Sequence, residues 1–361
     1  MHVQAAVTYG AGSDFSLADI ELEDPRPDEI LVRTAAVGLC HSDLTARQYF
    51  PGGGVLGHEG AGVVEVVGSA VTGFAPGDHV VLGFDACGSC RACLGGRPYR
   101  CRNFAAMNYG GARPDGSTAL RVGETPIAGS FFGQSSFASH CLATARNAVK
   151  VDPQLPLDKL APLGCGVITG SGTVLNALRP FPGSSLVVFG AGSVGLSALL
   201  GAVVTQVGTL IAVDIVPGRL ELARTLGATH VIDGRSDDVA GQIRDLTDGG
   251  ADYAVETSGA ASVVATAVSS VPEGGTVALV GLGDLQGTIT LSHYEMVMGR
   301  TVMGVTEGNS VPQVYIPQLI DLWRAGRFPF DAMITAYPFD KIGQAVADSE
   351  AGRTVKAVLT F

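Results

Sequence analysis

The sequence is poor in charge: 16% of its 361 residues are Asp, Glu, Lys or Arg, whereas hydrophobic residues make up 46%. This balance excludes a disordered or coiled-coil chain, and the length is typical of about two folded domains. The formal net charge is −11, and no long run of Lys or Arg occurs. We therefore expect neither a nucleic acid nor an anionic membrane surface as a partner.

Two further absences concern targeting. The N-terminal stretch MHVQAAVTYGAGSDF lacks a basic segment followed by a long apolar one, so no secretory signal is predicted. The uncharged stretch 181–213 is long enough to span a bilayer, but Pro182 and several glycines interrupt it. We interpret it as a buried strand–turn–helix–strand unit of a cytoplasmic protein.

The chain changes character near residue 183. Before it, short apolar runs bounded by Gly, Pro and Asp predict a mostly β region, with strands at 29–39, 60–71 and 77–84. After it, short apolar strands alternate with helical stretches such as 193–206. This alternation predicts an α/β fold, with a doubly wound parallel sheet of the Rossmann type and a second, mostly β domain.

A glycine turn follows the first strand of the alternating region. In LVVFGAGSVGLSALLG, Gly190, Gly192 and Gly195 have the spacing G-x-G-x-x-G and open a helix, with Ser193 and Val194 between the last two. The first glycine permits the tight turn, the second lets backbone approach a pyrophosphate, and the third lets the helix pack on the strand. The helix N-terminus favours the negative charge, so a dinucleotide is predicted here.

Asp214 strengthens this interpretation because it ends the next strand. There its carboxylate can accept hydrogen bonds from the adenosine ribose hydroxyls, and its charge repels a 2′-phosphate, which favours NAD over NADP. An ordinary capping role for Asp214 stays open. Arg219 lies either beside the adenosine or on a solvated helix face.

Four of the seven cysteines fall in CGSCRACLGGRPYRC, with the spacing C-x2-C-x2-C-x7-C. They are Cys87, Cys90, Cys93 and Cys101. Four thiolates on one loop can close a tetrahedral sphere around a structural zinc ion. An iron–sulfur cluster and disulfides are the alternatives, but the bacterial ferredoxin spacing differs, and an odd cysteine count without a signal peptide is poor evidence for disulfides.

Three separated residues predict a second metal site. His58 lies in the glycine-rich GHEGAG, and the lone thiols Cys40 and Cys165 lie in GLCHSD and LGCGVITG. Catalytic zinc typically takes three protein ligands and leaves a fourth position for water or substrate. The remaining thiol, Cys141, is interpreted as core filler.

These motifs together resemble a known family. GHEGAGVVEVVGSAV (57–71), the four-cysteine segment, the GCG around Cys165, the GAGSVG turn and the closing VKAVLTF occur in the order of the zinc-dependent medium-chain alcohol dehydrogenases. The resemblance covers nearly the whole chain. It implies a GroES-like catalytic domain over 1–166 and 307–361, and an NAD-binding Rossmann domain over 167–306. It also implies an enzyme that interconverts primary alcohols and aldehydes by hydride transfer, with NAD, one catalytic zinc and one structural zinc.

The resemblance assigns metal and proton roles residue by residue. Cys40, His58 and Cys165 would hold the catalytic zinc, and the four-cysteine set would hold the structural zinc. Ser42 would take the substrate proton. Asp43 would fix the tautomer of His58, and Glu59 would transiently reach the metal.

The same resemblance assigns contacts to the coenzyme. His41 and Lys356 would face the pyrophosphate, and Thr169 and Leu282 would lie at the nicotinamide. Thr45 stands where many members have a relay histidine. The proton then leaves through Thr45 and water, through His41, or along no dedicated relay.

The segment GSFFGQSSFASH (129–140) resembles the aryl-alcohol (benzyl alcohol) branch of the family. It places Phe131 and Phe132 at substrate positions, which favours benzyl, cinnamyl or geranyl-type alcohols. Ordinary β core is the alternative for this pair. Cys165 argues against the sorbitol-type branch. The retained segment 102–139 favours a homodimer over a tetramer.

Three other functions are alternatives for this set of motifs. A broad-specificity aliphatic alcohol dehydrogenase would share every motif above. A zinc-free quinone reductase of the same superfamily would lack the ligand set. A non-enzymatic, zinc-stabilised NAD-binding protein would not need Cys165 or an open fourth metal position.

Overall fold

Runs of β-branched and other apolar residues form the strands that the sequence predicts, with ends that differ by a few residues. A computed structural model describes residues 1–10, 12–284 and 286–361. Within these ranges the strands, in chain order, are β1 His2–Thr8, β2 Ser16–Leu22, β3 Glu29–Gly38, β4 Gly54–Val55, β5 Glu59–Val67, β6 His79–Leu82, β7 Leu120–Val122, β8 Thr125–Ile127, β9 His140–Thr144, β10 Ala148–Val151, β11 Ser185–Phe189, β12 Thr209–Asp214, β13 His230–Asp233, β14 Tyr253–Glu256, β15 Thr276–Leu279, β16 Thr301–Gly304, β17 Ile334–Pro338 and β18 Lys356–Thr360.

The helices are mostly short, and several lie in the loops between strands. In the described ranges they are α1 His41–Ala46, α2 Arg91–Leu94, α3 Phe104–Tyr109, α4 Leu157–Leu160, α5 Gly166–Gly172, α6 Ser193–Val204, α7 Pro217–Thr225, α8 Val239–Leu246, α9 Ala261–Ser269, α10 His293–Val297, α11 Pro312–Arg324 and α12 Ile342–Glu350. A π-helical turn, Thr173–Leu178, follows α5, and 3₁₀ turns include Phe131–Gly133 and Ala161–Gly164. None of these described helices has the length and apolar character needed to cross a bilayer.

The chain divides into two compact units. One comprises Met1–Cys165, Val311–Gln318 and Met333–Phe361, and we call it the β-rich unit. The other comprises Gly166–Ser310 and Leu319–Ala332, and we call it the Rossmann unit. The predicted division differs in the C-terminal part, because 319–332 belong to the Rossmann unit.

The β-rich unit contains two sheets. A five-stranded sheet has the order β4-β1-β2-β7-β8, and a seven-stranded sheet has the order β10-β6-β5-β3-β18-β17, with β9 also paired to β3. Its core includes Val32 of β3, Val80 of β6 and Cys141 of β9. Cys141 is 2% exposed, and burial raises the pKa of its thiol to about 12, as expected of a core residue.

The Rossmann unit contains a six-stranded sheet in the order β13-β12-β11-β14-β15-β16, with every neighbouring pair parallel. Counted from its first strand, this is the order 3-2-1-4-5-6 of a doubly wound Rossmann sheet. The predicted fold class is therefore confirmed. The carboxyl ends of β11 and β12, at Phe189 and Asp214, carry the glycine turn and the acidic residue that the sequence singled out.

Candidate metal centre and nucleotide-binding turn

Four potential metal ligands meet inside the β-rich unit. Ligand atoms of Cys40, His58, Glu59 and Cys165 all lie within 4.8 Å of one another. Cys40 caps the N-terminus of α1, His58 directly precedes β5, and Cys165 follows a 3₁₀ turn. The structure thus brings together three residues that are far apart in sequence and that the sequence analysis assigned to one ion.

Asp43 connects two of these residues. Its Oδ1 lies 2.8 Å from Nδ1 of His58 and also accepts the backbone N–H of Gly57 at 3.0 Å. Its Oδ2 accepts the backbone N–H of Cys40 at 2.9 Å. Asp43 is fully buried. One carboxylate therefore orients the imidazole ring and the start of α1 at the same time.

The donor set fits a zinc ion. With Nδ1 of His58 bonded to Asp43, its Nε2 is left buried and without a hydrogen-bond partner among the described residues. A hydrogen bond with Cys165, helped by His58 and Lys356, holds the pKa of the Cys40 thiol well below its usual value although burial opposes this. A low pKa favours the thiolate, which is the form that binds metal. Two thiols and one imidazole form the Cys₂His set of a catalytic zinc site.

Lys356, for which a pyrophosphate contact is predicted, has partners inside the protein. Its ammonium is 1% exposed and donates to Oε1 and Oε2 of Glu59 at 2.9 and 2.8 Å and to the carbonyl of Leu39 at 3.1 Å. These contacts hold the ammonium at Glu59 and Leu39, and its predicted pyrophosphate contact stays a prediction. Burial opposes the charge, but Glu59 outweighs it and raises the pKa of Lys356 above its usual value.

Glu59 is in turn held by that ion pair at the edge of the donor cluster. Its carboxylate is fully buried, and a Cβ at Gly38 would lie 1.9 Å from its Oε2. Only glycine at position 38 leaves room for the carboxylate. The sequence analysis placed Glu59 near the metal but did not identify its partner Lys356.

The rest of α1 carries the predicted proton and coenzyme residues. His41 is exposed, whereas Ser42 and Thr45 are half-buried. The Oγ of Ser42 lies 3.8 Å from Sγ of Cys40, beside the donor cluster. His41 therefore places an exposed side chain directly between Cys40 and Ser42 in the chain.

Phe131 and Phe132 lie against the predicted ligand His58. The ring of Phe132 stacks on the imidazole with centroids 4.4 Å apart, and the ring of Phe131 meets it edge-on at 5.4 Å. Tyr109, 37% exposed, packs edge-on against both. The pair lies in a 3₁₀ turn rather than in a strand, so plain β core does not describe it.

The four-cysteine segment forms a second donor cluster. Ligand atoms of Cys87, Cys90, Cys93 and Cys101 lie within 4.8 Å of one another, and none of these four is in a disulfide. The Sγ of Cys93 lies 3.9 Å from that of Cys87 and 3.5 Å from that of Cys90. Four sulfurs at the Zn–S distance of about 2.3 Å would be about 3.8 Å apart in a tetrahedron. Backbone N–H groups at Cys93 and Arg102 lower the pKa of Cys90 to about 6, which favours a thiolate there.

The glycine turn of the Rossmann unit has the geometry of a pyrophosphate site. Gly190 has φ 91°, a left-handed conformation that favours glycine. A Cβ at Gly195 would lie 1.7 Å from the carbonyl oxygen of Gly190, so the helix packs directly on the turn. A Cβ at Gly192 would meet nothing within 4 Å. The turn therefore leaves open space above Gly192, at the N-terminus of the 12-residue helix α6.

Asp214 is bonded to this turn. Its Oδ2 accepts the backbone N–H of Ala191 at 2.6 Å, and its Oδ1 accepts that of Val216 at 2.8 Å. Arg219 is half-buried on α7, and its Nε has no hydrogen-bond partner among the described residues. Arg219 is therefore not a fully solvated side chain on the face of α7.

The two predicted nicotinamide contacts differ in exposure. Thr169 lies on α5, is nearly buried, and donates to Oε2 of Glu307 at 3.4 Å. Leu282 is exposed and follows β15. Sequence reasoning does not identify Glu307, because its contact with Thr169 spans 138 residues.

Comparisons with known proteins agree with this arrangement. The chain matches the families described as "Alcohol dehydrogenase GroES-like domain" over residues 26–153 and "Zinc-binding dehydrogenase" over residues 193–324. A geraniol dehydrogenase of Castellaniella defragrans is 42% identical over 99% of this chain and 97% of that protein.

Solved structures that are similar over the whole chain include two from bacteria. The benzyl alcohol dehydrogenase from Acinetobacter calcoaceticus has a TM-score of 0.96 at 42% identity, covering 100% of this chain and 99% of that chain. An alcohol dehydrogenase zinc-binding domain protein from Burkholderia ambifaria has a TM-score of 0.97 at 48% identity, with the same coverage. The chain therefore belongs to the zinc-dependent medium-chain alcohol dehydrogenase family.

Proposed function

We propose that this enzyme interconverts primary aromatic or allylic alcohols and their aldehydes with NAD. The observation that carries the substrate class is the aromatic cluster of Phe131, Phe132 and Tyr109 against His58. Both phenylalanines are 1% exposed, whereas Tyr109 is 37% exposed, so Tyr109 is the ring on which a flat aromatic or allylic group would pack. Relatives named for geraniol and for benzyl alcohol support the same class.

Cys40, His58 and Cys165 would hold the catalytic zinc. When bound, zinc supplies a Lewis acid that lowers the pKa of the alcohol hydroxyl. The protein's own residues orient the metal ligand His58 and take the proton of the substrate hydroxyl. Asp43 keeps the imidazole of His58 turned so that Nε2 points into the donor cluster. The hydroxyl of Ser42, beside Cys40, accepts the substrate proton.

The proton then has a short distance to travel along α1. Ser42 is half-buried, and its neighbour His41 is exposed, so an imidazole at the surface can pass the proton to solvent. Thr45 with a water molecule is the other route. Replacing His41 with Gln and measuring hydride transfer at several buffer concentrations distinguishes the two routes.

NAD would be held by the Rossmann unit. Bound NAD supplies the hydride acceptor, and the protein's part is to position it. The N-terminus of α6 above Gly192 suits the pyrophosphate, and Asp214 at the end of β12 suits the adenosine ribose. Thr169 and Leu282 remain the proposed nicotinamide contacts. A structural zinc at the four-cysteine cluster completes the proposed cofactors.

The proposed assembly is a homodimer in the cytoplasm. β16 lies at one edge of the described six-stranded sheet, and Tyr294 and Val297, which precede it in the chain, are 66% and 67% exposed. Sedimentation equilibrium of the purified protein tests this proposal.

A substrate panel with both coenzymes tests the proposed function. We expect NAD to be preferred over NADP, and kcat/KM for benzyl alcohol or geraniol to exceed that for ethanol by at least about tenfold. Cys165→Ser should abolish turnover, whereas the matched control Cys141→Ser should retain it. Equal kcat/KM for ethanol and benzyl alcohol would instead indicate a broad-specificity aliphatic enzyme.

A further inference from the structure

A second group of contacts, separate from Asp43, holds the backbone around His58. Residues 130–137, which we call the 130–137 turn, run along the segment that leads into β5. Ser135 donates its hydroxyl to the carbonyl of Val55 at 2.6 Å, and the backbone N–H groups of Ser136 and Phe137 donate to Gly57 and Leu56 at 2.9 Å. The turn therefore lies along the backbone on the N-terminal side of His58.

Gln134 uses every hydrogen-bonding site of its side-chain amide in this contact. Its Nε2 donates to the carbonyls of His58 at 3.0 Å and Gly83 at 3.1 Å. Its Oε1 accepts the backbone N–H of Gly60 at 3.0 Å and the hydroxyl of Ser136 at 2.9 Å. The side chain is nearly fully buried, so water cannot replace these bonds.

The backbone of the turn is strained. Ser130, Phe132 and Ser135 have φ of 56°, 52° and 55°, a region that residues with a Cβ rarely adopt. Such conformations persist only where the surrounding contacts hold them, and they concentrate at functional sites. Here the conformation brings the ring of Phe132 onto the imidazole of His58 and the amide of Gln134 onto its backbone.

We propose that Gln134 is a positioning residue for His58, and that the 130–137 turn is held in its strained conformation for this purpose. The inference rests on the proposed function, in which His58 binds zinc. Asp43 fixes the rotation of the ring, whereas Gln134 fixes the backbone from which the ring extends. A ligand displaced by a fraction of an ångström binds its metal less well, so both restraints are needed.

Gln134→Met tests the proposal because Met has a similar size and no hydrogen bonds. The control is Arg113→Met. Arg113 is also a buried side chain of the β-rich unit, and it donates to the carboxylates of Glu29 and Glu23 rather than to His58 or the 130–137 turn. The zinc affinity of each donor cluster is measured by chelator competition, with the absorption spectrum of the cobalt-substituted protein and the thermal midpoint as further readouts.

We expect Gln134→Met to weaken zinc binding at the His58 cluster by about 10–100-fold, to leave the four-cysteine cluster unchanged, and to shift the cobalt spectrum. Arg113→Met should lower the thermal midpoint with a much smaller loss of zinc affinity. Wild-type affinity and spectrum in Gln134→Met, or an equal loss of affinity in Arg113→Met, would overturn the proposal.

Two further variants keep the result interpretable. Ser136→Ala removes one bond to Gln134 and carries the test if Gln134→Met does not fold. It should weaken zinc binding in the same direction by less, and an unchanged affinity would then overturn the proposal. His58→Ala should bind one zinc instead of two. If it still binds two, the proposed ligand set is wrong, and that failure is distinct from a failure of the role of Gln134.

Discussion

Replacing Lys356 with Met tests the buried ion pair with Glu59. Both side chains are almost completely buried, at 1% and 0% exposed. The substitution leaves the carboxylate of Glu59 without its counter-ion. Breaking a buried pair from one side costs about 3–5 kcal/mol, because the remaining charge stays desolvated. At about 1.4 kcal/mol per factor of ten, this lowers the folding equilibrium constant of the β-rich unit by two to three and a half powers of ten.

Urea unfolding followed by circular dichroism measures this loss, and hydrogen exchange of the β18 amides shows whether it lies in the β-rich unit. The double variant Lys356→Met with Glu59→Gln is the control. Since it removes both charges, we expect it to recover most of the stability.

The affinity for NAD decides between the ion pair and the pyrophosphate contact that the family resemblance implied. If Lys356 serves Glu59, the dissociation constant of NAD changes little in the folded variant. A Lys356→Met protein that unfolds at the wild-type urea concentration but binds NAD tenfold more weakly would refute our assignment.

Four further substitutions have direct structural expectations. Gly195→Ala should prevent the turn from forming, because its Cβ would meet a carbonyl oxygen at 1.7 Å. Gly192→Ala should fold normally and bind NAD more weakly. Thermal melts measure folding of the two variants, and calorimetric titration measures their affinity for NAD. Asp43→Asn should lower zinc affinity by about 10–100-fold in chelator competition, because the tautomer is no longer fixed. Arg113→Met should cost about 3–5 kcal/mol in urea unfolding, because it breaks the paired hydrogen bonds of Arg113 to the carboxylate of Glu29 at 2.7 and 2.8 Å.

The Rossmann unit could be predicted closely because its signals are local. Strands alternate with helices along the chain, and the glycine turn lies within six residues. The helix predicted over 193–206 is Ser193–Val204 in the structure. The signal of the four-cysteine cluster is also local in sequence, since its ligands lie within 15 residues and their spacing alone indicates a common ion.

The contacts that complete the metal centre could not be predicted in this way. Lys356 and Glu59 are 297 residues apart, and Gln134 and His58 are 76 apart. Which strands pair, and in which register, decides whether such residues meet, and the sequence pattern does not specify that register. The turn at Phe131–Gly133 was also hidden, because two phenylalanines indicate burial but not a left-handed backbone.

The interior of the four-cysteine segment consists largely of cysteine side chains. Its buried cluster consists of Ala86, Cys90 and Cys101, with Cys87, Cys93 and a few apolar side chains around them. Sulfur takes the place that hydrocarbon fills elsewhere in the protein. Because sulfur fills the interior of the four-cysteine segment, oxidation of its thiols disrupts that interior, even at a temperature where the sheets stay folded. We therefore expect a reducing agent to protect this segment, which loss of activity in air with and without the agent would measure.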